Sequence, residues 1–349
     1  MQSTVKATDP QHWSDQEKTE YVRREVTAAG VALRERHGWL RHQDAIGAAI
    51  MIGSLAGMLA CAWAYAAGHL ALWLCIPMVA ILASFTHELE HDLIHRMYFR
   101  SRPWAHNLMM LAGWIARPST INPWIRRHLH LHHHKHSGTE TDLEERGITN
   151  GERWGLLRMV MLFDGILAIV LRLHRAPNSK LRARMLIRGL IAYFPLGWLH
   201  WGTWYLFLGF HGSNLIAGAM GTPPAWSADT LAMMGVVNLL TAVWIAPNLL
   251  RSFCLHFVSS NMHYYGDVED GNVVQQTQVM KPWWMLPFQL FCFNFGSTHA
   301  IHHFVVKEPF YVRQATAATG HRVLREVGVR FNDTGSFARA NRFQRTAPA

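Results

Sequence analysis

Residues 70–95 read LALWLCIPMVAILASFTHELEHDLIH, an uncharged apolar run that passes directly into a cluster of histidines and carboxylates. The apolar part, residues 70–85, has the composition of a helix that enters a hydrocarbon core of about 30 Å, with the helix continuing into His87 and beyond. Histidines 87, 91 and 95 are four residues apart, so on a helix their rings lie in one row. The stretch predicts a membrane helix whose end presents imidazoles at the membrane boundary.

Three further apolar stretches are as uncharged as this one, and each is long enough to span a bilayer. Gly68 and His69 make a short turn between the first two spans, and a loop with Gly221, Pro223 and Pro224 joins the last two. The sequence therefore predicts an all-α integral membrane protein with four transmembrane helices in two hairpins. The four predicted spans are residues 45–67, 70–85, 190–210 and 231–250.

The distribution of charge predicts the orientation. Only 16% of the residues are charged, and no Lys or Arg lies between Arg41 and Arg96 or between Arg188 and Arg251. Although the formal charge is +10, the basic residues flank the apolar zones and form no stripe for nucleic acid. By the positive-inside rule both termini and the basic segments face the cytoplasm. We expect a multi-pass protein of a bacterial inner membrane, with no nucleic-acid partner.

Shorter apolar stretches at residues 104–116, 156–171 and 283–295 are too brief or too interrupted to cross a bilayer. Since irregular backbone is not tolerated in lipid, we expect them to form an interfacial helical cap on the cytosolic side. The predicted organisation is a cytosolic extension at 1–43, a membrane catalytic domain at 44–306 and a cytosolic tail at 307–349. Four isolated cysteines without a C-x-x-C pair exclude a cysteine zinc site.

Most of the informative histidines, among 23 in the chain, fall into short clusters. Besides the first cluster, residues 127–136 read RHLHLHHHKH, residues 299–303 read HAIHH, and His263 stands alone after the fourth predicted span. All lie on the predicted cytoplasmic side. Imidazole suits Fe, Zn, Cu and Ni, but nine or more candidate ligands exceed what one four-coordinate zinc needs and suit two ions.

These motifs resemble the histidine boxes of the membrane fatty acid desaturases and their hydroxylase relatives. The boxes look like His91-x-x-x-His95, His130-x-x-His133-His134 and His299-x-x-His302-His303, and His263 is similar to the additional family histidine. The resemblance, over residues 45–305, implies two irons held under a cytosolic cap, with O2 as co-substrate. It implies these ligands: His91, His95, His130, His133, His134, His263, His299, His302 and His303.

The resemblance also implies an enzyme that attacks a fatty acid or fatty acyl chain lying in an apolar tunnel, most simply to form a carbon–carbon double bond. Iron can make the oxidant for an unactivated methylene, and redox-inert zinc cannot. The chain also looks like bacterial enzymes that decarboxylate free fatty acids to terminal alkenes, and hydroxylation is a third outcome. Because the sequence has no nucleotide loop or redox domain, we expect an external electron donor of the ferredoxin, rubredoxin or cytochrome type.

Several alternatives stay open at this level. The register of the second box is ambiguous, because it also contains His128, His132 and His136. In the first cluster, His87 is a further possible ligand. The segment His87-Glu88-x-x-His91 also fits the zinc-protease motif, and the histidine-rich tract fits a non-enzymatic metal-binding protein. As partners for the second imidazole nitrogen the sequence offers Glu88, Glu90, Asp92, Asp142, Glu144 and Asp267.

Overall fold

The computed structural model describes residues 10–148 and 151–344. Within them the regular structure is helical, apart from a parallel pair of two-residue strands, Gln278–Val279 and Arg330–Phe331. The predicted all-α class is confirmed. The α-helices are α1 Asp15–Arg36, α2 Gln43–Ala66, α3 Leu72–Ile94, α4 Pro103–Ala116, α5 Pro123–His136, α6 Leu143–Gly147, α7 Leu156–Phe163, α8 Gly165–Arg172, α9 Ser179–Tyr193, α10 Leu196–Ala219, α11 Ala228–Leu240, α12 Ala246–Ser259, α13 Val273–Gln276, α14 Leu286–Leu290, α15 Phe295–Phe304, α16 Phe310–Ala315 and α17 Ala317–Glu326.

Three helical segments in the described part of the chain are long and apolar enough to cross a membrane. They are α2, α3 and the continuous segment Ala228–Ser259, in which the π-helical turn Thr241–Ile245 joins α11 to α12. Gly68, with a φ of +76°, makes the turn between α2 and α3 that the sequence predicts. The first, second and fourth predicted spans therefore correspond to helices of this kind.

The third predicted span, residues 190–210, has different boundaries. A break at residues 194–195 separates α9 from α10, and α10 is 24 residues long. It is not among the three apolar helices, because His200, His211 and several glycines and tryptophans lower its hydropathy. The prediction of four spans is thus confirmed only for three.

The stretches predicted to be interfacial form short helices. Residues 104–116 lie in α4, residues 283–295 include α14, and residues 156–171 are divided between α7 and α8. Asp164 makes that division, since its carboxylate caps α8 by accepting a 2.8 Å hydrogen bond from the backbone N–H of Leu167.

The C-terminal segment packs against the histidine-bearing helix α15. Ile301 of α15 shares a buried cluster with Val22 of α1 and with Val323 and Leu324 of α17. The backbone N–H of Asn332 donates to the carbonyl of Val279 at 2.8 Å, next to the strand pair. Burial of these apolar side chains, each worth about 1.5–3 kcal/mol, holds α15 between the N- and C-terminal segments.

Candidate metal centre

The C-terminal end of α3 carries the first histidines. Every residue from Thr86 to Ile94 is buried, and the rings of His91 and His95 have centroids 5.4 Å apart. Four-residue spacing places these rings on one helix face, as the sequence predicts. His95 is the C-cap residue of α3 and is only partly buried.

The second group of histidines lies on α5, whose start is fixed by Asn122 and Pro123. The Asn122 side chain accepts from the backbone N–H groups of Trp124 and Ile125, and the proline occupies the first turn, where its missing N–H costs nothing. This start turns His130 and His133 into the protein with exposures of 2% and 1%, whereas His128 and His132 are exposed. The sequence left the register of the second box open, and the structure decides it: positions 130, 133 and 134 face the metal centre.

The remaining histidines come from two C-terminal segments. His263 follows α12 and is completely buried, and His299, His302 and His303 are buried on α15. Gly296 fixes the start of α15, because a Cβ there would collide with the backbone carbonyl of Met280. The chain therefore brings four separated segments to one place.

Together the imidazoles form two adjacent groups in which one nitrogen of each ring lies within 4.8 Å of the others. The first comprises His91, His95, His130 and His302, and the second comprises His133, His263, His299 and His303. The ninth predicted ligand, His134, lies between them. Its Nε2 is 3.1 Å from that of His130 and 3.0 Å from that of His302, and its ring centroid is 4.6 Å from that of His303.

The nitrogen atoms have the spacing of ligands around a cation. Four Nε2 atoms form a closed ring. The separations are 2.9 Å from His130 to His95, 3.1 Å from His95 to His302, 3.0 Å from His302 to His134 and 3.1 Å from His134 back to His130. A point inside such a ring lies about 2 Å from each atom, which is the usual metal–imidazole distance. In the second group, Nε2 of His299 is 3.0 Å from that of His263 and 3.2 Å from that of His303.

Electrostatics agree with metal binding. Burial disfavours the charged form and lowers the pKa of these imidazoles outside the membrane-spanning helices: His95, His130, His134, His263, His299, His302 and His303. Neutral rings can offer nitrogen lone pairs to a cation. Both ring nitrogens of buried His91 lack a hydrogen-bond partner among the described residues, as a ligand's nitrogen would without its ion. The donor set fits two transition-metal ions.

Carboxylates orient two of the rings on α5. Nδ1 of His133 donates to Asp142 at 2.8 Å, and Nδ1 of His130 donates to Glu144 at 2.8 Å. Although burial disfavours the charged form, the Asp142 carboxylate raises the pKa of His133 to about 9. Both partners were among the predicted carboxylates. Such contacts fix the ring so that Nε2 faces the metal.

The other predicted carboxylates have different partners. Glu90 pairs with Arg117 and with Arg126, which continues to Glu144 at 3.2 Å. Asp267 accepts from the backbone N–H groups of Phe343 and Gln344 and holds the C-terminal segment, away from the imidazoles.

The sequence missed Arg313 in α16, which lies in a segment without recognisable periodicity. Its guanidinium is 2.5 Å from Nδ1 of His302 and pairs with Asp92 at 3.2 Å and with Glu88 at 3.5 Å. It therefore links the first and third boxes. The sequence also missed Glu145, whose buried carboxylate is 3.7 Å from Nε2 of His263.

His87 belongs to neither group of imidazoles. Its Nδ1 lies 3.2 Å from Arg117, and its ring packs near Phe295 with centroids 6.1 Å apart. The zinc-protease interpretation needs His87 and His91 on one ion, so the geometry gives it no support.

Comparison with protein families agrees with the histidine pattern. The family model described as fatty acid desaturase matches residues 67–335. This region begins at the turn before α3 and includes α16, α17 and all nine candidate ligands. A comparison with curated proteins gave no match.

Proposed function

The chain belongs to the fatty acid desaturase family. We therefore propose that it is a membrane-bound, O2-dependent oxidase that holds two irons on the nine candidate histidine ligands and forms a double bond in fatty acyl chains. The observation that carries the proposal is the pair of four-imidazole groups. Two groups with rings in contact would hold two ions side by side, which neither a single zinc site nor scattered histidines would do.

The two irons, when bound, supply the oxidising power for an unactivated methylene. Removing one hydrogen from each of two adjacent carbons releases two electrons and two protons. Together with two electrons and two protons from outside, they reduce one O2 to two waters. The protein's own part is to hold the ligands, to fix their ring orientation through Asp142 and Glu144, and to exclude water by burial. The external electrons come from a separate electron-transfer protein.

Oxidative decarboxylation and hydroxylation use the same oxidant and the same number of external electrons. Decarboxylation of a free acid breaks the C1–C2 bond and one C–H bond at C3, and with O2 and two external electrons and protons gives a terminal alkene, CO2 and two waters. Hydroxylation inserts one oxygen atom into a C–H bond and gives one water. We retain hydroxylation as the alternative, because it differs from desaturation only in the last step on the substrate.

We further propose that α10 is the fourth membrane span and that the histidines face the cytoplasm. At about 1.5 Å per residue, its 24 residues reach about 36 Å, enough to cross a hydrocarbon core of about 30 Å. The segment Ala228–Ser259 runs toward His263, so the chain must first return to the opposite side between α9 and α11. The basic residues flanking these helices favour the cytoplasmic side for the metal centre.

Product analysis tests the proposed function. The chain would be expressed in cells with a compatible electron donor, and lipids and headspace would be analysed by gas chromatography. An internal olefin indicates desaturation, a volatile 1-alkene indicates decarboxylation, and a hydroxy acid indicates hydroxylation. If folded, metal-loaded protein is present in the membrane and none of these products is found, the proposal is contradicted.

Variants connect the product with the proposed site. His133→Ala or His302→Ala is expected to abolish both iron loading and product, because each removes a buried ring from a different group. The exposed His128 on the same helix as His133 gives the matched control, and His128→Ala should keep both. Full activity of His302→Ala would show that the boxes are wrongly assigned.

A further inference from the structure

Arg251 on α12 is a buried cation that pairs with no carboxylate in the part of the chain that the structure describes. Its residue exposure is 1%, and its guanidinium donates to the Ser252 hydroxyl at 2.8 Å and to the Ser119 hydroxyl at 3.5 Å. Among the described residues its Nε and Nη1 atoms have no hydrogen-bond partner, and it forms no salt bridge. A buried guanidinium normally needs an anion, because the loss of hydration is otherwise uncompensated.

Neighbouring carboxylates do not meet this need. Arg117 is equally buried but pairs with Glu90, and Arg126 takes the other oxygen of Glu90 at 3.0 Å. Glu90 is thus already shared by two guanidiniums. The Arg251 charge is repelled by those of Arg117 and Arg126, so the cluster of three arginines, Arg117, Arg126 and Arg251, would gain from one more anion.

Other groups around Arg251 also offer donors. Nε of Arg117 lacks a partner among the described residues, and so do both ring nitrogens of the completely buried His200, which as a neutral ring has one donor and one acceptor. The charge of Arg251 acts electrostatically on His200. The unused N–H groups of Arg251 and Arg117 indicate a ligand that accepts hydrogen bonds.

This cluster lies close to the metal centre. Ser119, which accepts from Arg251, is two residues from Arg117, and Arg117 contacts Nδ1 of His87 at 3.2 Å. His87 precedes His91 by four residues on α3, a rise of about 6 Å. These contacts link Arg251 to the first imidazole group through Arg117 and His87, so an anion bound at Arg251 would lie on the His87 side of that group.

We propose that Arg251 binds the carboxylate of an unesterified fatty acid and so selects the free acid over the thioester or ester as substrate. The inference rests on the proposed function, since only an acyl-oxidising enzyme would hold such a group beside its metals. A carboxylate compensates the buried charge and accepts from two guanidinium nitrogens at once. A thioester or an ester would leave the same charge unpaired.

Equilibrium binding to the iron-loaded, detergent-purified protein tests this directly. The probes are radiolabelled dodecanoate and hexadecanoate, with the corresponding methyl esters as competitors. Wild-type protein should bind at least one acid saturably, and the methyl ester should compete about 30-fold more weakly or worse, since a charge-assisted hydrogen bond is lost. Equal competition by acid and ester, or saturable binding of neither acid, would overturn the proposal without any variant.

Variants locate the binding site. Arg251→Gln should weaken carboxylate binding about 100-fold while leaving ester binding unchanged, and Arg251→Lys should retain part of the affinity because it keeps the charge. The matched control is Arg100→Gln, which removes a solvent-exposed arginine from the cavity beside His95. If Arg100→Gln loses the affinity and Arg251→Gln keeps it, the carboxylate is bound at the cavity mouth and the proposal is wrong.

The outcomes separate this inference from the proposed function. Iron-loaded protein that consumes O2 with an acyl thioester but binds neither acid contradicts only the role of Arg251. Protein that binds the acids through Arg251 but holds no iron and consumes no O2 supports the carboxylate site and contradicts the oxidase. Metal content and thermal unfolding show whether Arg251→Gln is folded. If it is not folded, the binding measurement is made on Arg251→Lys instead.

Discussion

Replacing Arg313 by methionine should destabilise the protein strongly even without metal. The residue is 2% exposed and is the cation that Asp92 and Glu88 share. Removing one partner of a buried ion pair costs about 3–5 kcal/mol, because the other charge is left uncompensated. Asp92 keeps hydrogen bonds from the Tyr98 hydroxyl at 3.0 Å and from the backbone N–H of Phe310 at 2.9 Å, so we expect about 3 kcal/mol, the lower end of that range.

Thermal unfolding of the chelator-treated protein in detergent measures this effect, and tryptophan fluorescence can follow it. A loss of about 3 kcal/mol should lower Tm by roughly 5 °C or more. Arg322→Met on α17 is the control, because Arg322 pairs with Glu326 on the surface, where an ion pair contributes about 0–1 kcal/mol. Adding Asp92→Asn to Arg313→Met should restore part of the stability. Equal Tm values for Arg313→Met and Arg322→Met would show that the buried Arg313 ion pair does not stabilise the protein.

Two further variants test how the rings are positioned. Asp142→Asn should weaken metal binding about 10–100-fold, because His133 loses its charged acceptor. The control Asp267→Asn lies away from the rings and should bind metal normally. Equal metal affinities of the two variants in a competition titration would contradict this prediction. Gly296→Ala should displace α15 and lower both the metal content and Tm, because a Cβ has no room at this position. In the control Gly218→Ala the added Cβ meets no atom within 4 Å, so Tm and metal content should not change. A Gly296→Ala protein with normal Tm and metal content would show that α15 can shift freely.

The membrane helices could be predicted where hydrophobicity alone decides. The apolar residues of α2 and α3 are uncharged over their whole length between Ala45 and Phe85, so the sequence located both. The third predicted span, residues 190–210, crosses the break between α9 and α10 because the apolar composition continues on both sides of it. Pro195 marks this break in the sequence, but a prediction from hydrophobicity alone passes over it.

The metal-centre histidines could be predicted as a set but not in register. The family resemblance implied nine rings, and the structure brings eight of them into two groups. Which face of α5 points inward is decided by its capped start at Asn122 and by packing, so His128 and His132 could not be separated from His130 by pattern alone. Arg313 was missed for a related reason: its carboxylate partners, Glu88 and Asp92, are more than 200 residues away in sequence, and only the tertiary fold brings them together.

We propose that the two groups of imidazoles hold two redox-active metal ions. This can be measured by metal analysis of protein purified without added metal, combined with Mössbauer spectroscopy of protein grown on iron-57. We expect about two irons per chain in a nitrogen-rich, coupled pair. Stoichiometric zinc without iron, or a single iron per chain in fully folded protein, would contradict it.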